Sequence, residues 1–176
     1  VTSGSRMSDS YYAGGAAAGP KVTLTKPSAA AAGDGIAVLV HGVSATPNGW
    51  TNHGMVGSRT LLSHVIQSGE ASWEFTGSGL YGLVYFVARG SDADVPVGVV
   101  GTGYSGTGTS HAFPGLTTPR ANCLAVLLSI GAGGNTYTFS PPAGMTERYD
   151  SVVGYPIIFA TADELAVAAA GAVAAK

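Results

Sequence analysis

The apolar residues of this chain come in short runs, each bounded by Gly, Pro, Asn or Ser, and this rhythm decides what it can fold into. Val22-Thr23-Leu24-Thr25 alternates with period two and stops at Pro27. Gly33-Asp34-Gly35 turns into Ile36 to Val40, and Pro47-Asn48-Gly49-Trp50 is a second turn. Arg59 to Ile66, Trp73 to Thr76, Leu80 to Ala88, Val95 to Val100, Leu124 to Ile130, Thr136 to Phe139 and Tyr155 to Ala160 follow. Runs of this length with turn signals between them read as strands. The spacing predicts an all-β, antiparallel, jelly-roll-like β-sandwich over residues 21–176. Residues 1–20, rich in Ser, Gly and Ala, are expected to form an extended N-terminal arm or linker in which Tyr11 and Tyr12 dock on a neighbour or on the same chain. Only the stretch from Asp163 onward has any helical character. Gly171 weakens it, and a final strand fits Ala166-Val167-Ala168 equally well.

Charge is scarce. Asp, Glu, Lys and Arg make up 10% of 176 residues, against about 25% in ordinary soluble domains. No such residue lies between Asp94 and Arg120, nor between Arg120 and Glu147. A surface of small neutral groups has little self-repulsion and favours packing against neighbours. With a net charge of −2 there is no electrostatic footprint for nucleic acid. The apolar tail Leu165 to Ala175 is too short to span a bilayer, so no membrane insertion is expected. The chain begins at Val1 with a polar stretch unlike a signal peptide and without an initiator Met, so a cleaved or omitted segment is expected before it.

Few residues offer chemistry. Cys123 is alone, which excludes an intrachain disulfide and a structural Cys zinc site. Its apolar setting suits a small buried hydrophobe better than a nucleophile. Gly101 to Gly106 matches G-x-G-x-x-G, but no helix pattern or ribose-binding acid follows, so a glycine-rich loop is expected. His41, His53, His64 and His111 have no metal-ligand spacing. Asp92 and Asp94 suggest an incomplete Ca²⁺ loop or, more simply, a solvated turn. Glu147, Arg148 and Asp150 read as an outward strand face. No nucleophile elbow is present, although spacing does not exclude a triad such as one with Ser110 and His111, and His111 or His64 converging with an Asp or Glu in a cleft would favour a hydrolase. The expectation is a protein that is not an enzyme and has no metal or cofactor.

Two halves echo each other. Ile36 to Val40 leads through Pro47-Asn48-Gly49-Trp50 to the strand around Leu61. Leu124 to Ile130 leads through Pro142-Ala143-Gly144-Met145 to the strand at Ile157. Each proline turn delivers one large apolar residue, Trp50 or Met145, suited to plugging the end of a two-sheet core. The rival reading makes Trp50 a sugar-stacking platform. Trp73, Tyr81, Tyr85 and Tyr104 are the other aromatic candidates for contact with a glycan.

Several segments together resemble a β-sandwich domain of tailed-phage virion proteins from actinobacterial hosts. They are Lys21 to Pro27 running into Gly33-Asp34, the P-x-G-W turn at Pro47 to Trp50, Arg89-Gly90-Ser91-Asp92 with Pro96 beyond, and P-P-A-G-M-T-E-R from Pro141 to Arg148. The last block is the most specific, and the likeness spans roughly residues 21–165. The Ala-rich run from Leu165 to Ala175 departs from the polar closing strand of that pattern. The resemblance implies a minor tail, fibre or head-decoration component at the particle surface, with no catalytic residues to carry over. The partners it implies are other virion proteins and copies of itself, as a trimer on grounds of virion symmetry. A host-surface glycan is the partner in the alternative reading, a carbohydrate-binding recognition module of the same fold.

Overall fold

The computed structural model describes residues 5–14, 21–90, 97, 98, 100, 101, 113, 115–121, 123–132, 140–152, 157–167 and 171–173. Its strands are β1 (Ser5–Gly14), β2 (Lys21–Thr25), β3 (Gly35–Val43), β4 (Thr51–Val56), β5 (Arg59–Val65), β6 (Ser72–Arg89), β7 (Leu116–Thr118), β8 (Cys123–Ala132), β9 (Thr146–Val152), β10 (Ile157–Val167) and β11 (Gly171–Val173). No helix occurs among the described residues, and the chain is all-β with antiparallel pairing throughout.

The largest sheet has the order β1-β6-β3-β5-β4, with β2 added to β6. A second sheet has the order β8-β10-β9, and β7 pairs with β11. The alternation in β2 is genuine: Val22 and Leu24 are buried while Lys21, Thr23 and Thr25 are exposed. On β3, Ile36, Val38 and Val40 share one face. Their partners His64, Leu62 and Thr60 on β5, and Val87, Tyr85 and Leu83 on β6, share it too. The apolar ones among them, with Tyr85, join Val22, Leu24, Trp73 and Phe75 from β2 and the start of β6 in one core. Each fully buried Val, Leu or Phe there contributes about 1.5–3 kcal/mol. The opposite face of the same sheet is also apolar and covered, for Ala37 and Val84 are buried. Strand β8 lies against β3 and β6, and β10 against β6 and β1.

Several strands differ from the sequence expectation. Trp73 to Thr76 and Leu80 to Ala88 are one 18-residue strand, β6. Its first part pairs with β2 and its second with β1 and β3, so the glycines between the two runs do not interrupt it. Within the stretch expected to be an arm, residues 5–14 form β1, which lies on β6 of its own chain; Tyr11 pairs with Val84 and Tyr12 with Leu83. Val97, Gly98 and Val100 are not in a strand, and Thr136 to Phe139 lies outside the described residues. Among the described residues from Asp163 onward, 163–167 end β10 and 171–173 form β11. Of the two readings open for that segment, the helix is the one that fails.

Candidate functional site

Strand β3 ends at Val43, and the chain crosses to β4 through a tight turn. The Trp50 N–H donates to the Pro47 carbonyl at 3.2 Å. Gly49 takes φ 80°, a left-handed backbone angle that a side chain strains and glycine does not. The turn drops the Trp50 indole into the core. Its ring stacks on His64 at 5.1 Å and 21°, and meets Trp73 and Phe75 edge-on at 5.7 and 5.1 Å.

His64 ties two loops together. The Gly49 carbonyl can only accept, so the His64 Nδ1 proton lies on their 2.8 Å bond. Nε2 faces both carboxylate oxygens of Glu70, at 3.0 and 2.9 Å. Glu70 also accepts from the Gln67 backbone N–H at 2.6 Å. Burial pushes the Glu70 carboxyl up, but the bonds from Gln67, His64 and Trp73, with the His64 charge, outweigh it and hold the group below its usual range. The buried Trp73 indole N–H makes no hydrogen bond of full geometry. It still faces this carboxylate and favours its charged form.

A separate open groove of about 280 Å³ is lined by Val43–Thr46, Asn52, Gly54, Met55 and Thr60. Several of its polar groups are already engaged, Ser44 with the Thr76 carbonyl and Asn52 with its neighbours. Asn52 Nδ2 donates to Thr46 Oγ1 at 2.9 Å, and Asn52 Oδ1 accepts from the Gly54 N–H at 2.8 Å. Met55 stands at the lip, 66% exposed.

The remaining described histidines sit beside serines. His53 Nε2 lies 2.7 Å from Ser63 Oγ, and His41 Nε2 lies 2.7 Å from Ser58 Oγ. These distances suit a nucleophile and its base. Ser63 is only 1% exposed, so no substrate reaches it, and burial pushes the His53 pKa down. Ser58 sits in the β4–β5 hairpin turn, where its carbonyl takes the Gly42 N–H at 2.9 Å. That serine therefore fastens the hairpin to β3. No group of three metal-ligating side chains occurs among the described residues.

The sequence candidates fall in different places. Trp50 and Trp73 are 8% and 7% exposed, and their rings face core neighbours rather than a sugar. Trp50 is a member of the buried core, and the stacking-platform reading loses its two tryptophans to that core. Tyr85 is buried as well. Tyr104, His111, Asp92 and Asp94 lie outside the described residues, as does the glycine-rich loop beyond Gly101; the side chains of Tyr11, Tyr12, Tyr81, Arg148 and Asp150 do too. Glu147 is exposed on β9. Cys123 is half-buried rather than fully buried, and its Sγ donates to the Arg120 carbonyl at 3.2 Å. Sequence reading missed the link from Trp50 through His64 to Glu70. The P-x-G-W turn was its only visible signal, because His64 and Glu70 join it through sheet register.

Comparison with protein-family models, with curated proteins and with solved structures gives no match to this chain.

Proposed function

We propose that this chain is a non-enzymatic structural component of a bacteriophage particle, a tail, fibre or head-decoration protein that folds as a β-sandwich and works through contacts with other virion proteins and with its own copies. The observation that carries this reading is the P-P-A-G-M-T-E-R block. It forms a defined element, a turn closed by Met145 N–H on the Pro142 carbonyl at 3.0 Å that opens directly into β9. Scarce charge gives the contact mechanism its physical basis, since neutral surface is cheap to desolvate. The use of His41, His53 and His64 in bonds that hold loops and strands together fits a scaffold role. Light scattering over a concentration series tests self-association. The reading expects a discrete oligomer, with a trimer as the first expectation. A monomer at every concentration, together with absence from purified particles, removes it.

The carbohydrate-binding alternative no longer has Trp50 and Trp73 to offer. It would rest on the groove beside Met55, whose walls carry hydroxyl and amide groups. A glycan array decides it: reproducible hits that Asn52→Ala abolishes support binding there, and an empty array ends it.

A further inference from the structure

We infer that the chain contains one three-strand unit twice: β3, β4 and β5 form the first copy, and β8, β9 and β10 the second. In both copies the third strand lies between the first and second, giving β3-β5-β4 in one sheet and β8-β10-β9 in the other. All these neighbours are antiparallel. The first and second strands therefore run parallel, and the chain between them skips a place that the third strand later fills. A simple meander would put the second strand beside the first, so the shared order is a specific topological choice.

The agreement continues residue by residue. Each skipping connection ends in the same turn. Trp50 N–H donates to Pro47 O at 3.2 Å, and Met145 N–H donates to Pro142 O at 3.0 Å. Gly49 and Gly144 take φ 80° and 83°. A threonine follows each turn and opens the second strand. Thr51 and Asn52 pair with Ser63 and Leu62; Thr146 and Glu147 pair with Asp163 and Ala162. Both strands then bulge at the same point. Pairing resumes at Met55 with Thr60 in the first copy and at Tyr149 with Thr161 in the second, and in each case the second strand carries one residue more than its partner. In a chain with 27 glycines a repeated turn alone would mean little. Strand order, turn geometry and bulge position are set by different residues, and all three coincide.

The shared register shows where the copies diverged. His64 pairs with Ile36 on the first strand, and at the matching position Glu164 pairs with Ala125. One step beyond the Thr51–Ser63 pair, Trp50 meets His64; the same step beyond Thr146–Asp163 matches Met145 with Glu164. The backbone unit is thus common to both copies. The stacked Trp50–His64 pair is an elaboration of the first copy alone.

Amide hydrogen exchange on the intact chain, with thermal melts of Gly49→Ala, Gly144→Ala and the two matching Asn variants, tests this. The Trp50 and Met145 amides should both be protected in the wild-type chain. Each Ala variant should lose protection at its own turn and melt lower by about 2–8 °C. Asn, which tolerates the left-handed angle, should recover most of that loss at both positions. The inference is overturned if the Met145 amide exchanges at the unprotected rate, or if Gly144→Ala leaves the melting temperature unchanged while Gly49→Ala lowers it. Where an Ala variant does not fold, the wild-type exchange rates of the two amides decide the matter.

Discussion

The His64 ring lies nearly parallel to the Trp50 indole, centroids 5.1 Å apart, and its two nitrogens reach in opposite directions to the Gly49 carbonyl and the Glu70 carboxylate. One side chain therefore fixes the turn that precedes β4 and the turn that precedes β6. His64 is only 7% exposed but Glu70 is 27% exposed, so water reaches the carboxylate side of the pair. Glu70→Ala should cost about 1–3 kcal/mol through loss of its charge-assisted hydrogen bonds to His64 and the Gln67 N–H. Urea denaturation checks this, as a lower midpoint with unchanged slope.

Trp50 is buried in the core against His64, Trp73 and Phe75, so its removal should be among the most damaging single changes. Trp50→Ala is expected to destabilise by about 3–5 kcal/mol. Trp50→Phe should retain much of the packing and fall between the two. Calorimetry on the three proteins gives that order; equal melting temperatures for Trp50→Ala and the parent would contradict that burial.

Acid should weaken the fold in two stages. Burial lowers the His53 pKa below 6.5, so the unfolded chain takes a proton there before the folded one does. Stability is full above that value and declines as pH falls towards the folded pKa. Glu70 is held below 4.5, so its contribution is full above that value and is lost as pH drops through its lower folded pKa. His53→Gln should flatten the upper stage and leave the lower one. Melting temperatures measured from pH 8 to pH 3 read both.

Arg59 offers a stabilising change. Burial pushes its pKa down, and its Nε atom is buried with no hydrogen-bond partner. Arg59→Met keeps the apolar stem and removes the unsatisfied donor, and should raise stability by about 1 kcal/mol. A higher urea midpoint is the expected result.

The fold was readable wherever burial selects apolar residues. Val22 and Leu24 betrayed their strand by alternation, and Ile36 to Val40 and the run through Leu83, covered on both faces, by continuous apolar character. β4 was not readable. Thr51-Asn52-His53-Gly54-Met55-Val56 forms a sheet edge with little burial on either face, so nothing selects apolar residues there. β1 hid in a stretch rich in Ser and Gly with no apolar period, and only its pairing with β6 reveals it. The unity of β6 was hidden for the opposite reason: Gly77 and Gly79 look like a stop, yet the backbone stays extended through them. The site was half legible. Pro47-Asn48-Gly49-Trp50 announced a turn with a buried tryptophan, but the meeting of Trp50, His64 and Glu70 depends on strands pairing across the sheet. Internal likeness of the two halves was visible in their proline turns; the bulges and the shared strand order required coordinates.

The proposed virion role is tested most directly on particles of a phage that encodes this chain. Phage particles purified through a density gradient and analysed by quantitative mass spectrometry should contain this chain at a fixed copy number relative to the major capsid protein. Its absence from intact particles, with the chain recovered only as free monomer in the lysate, would contradict the account.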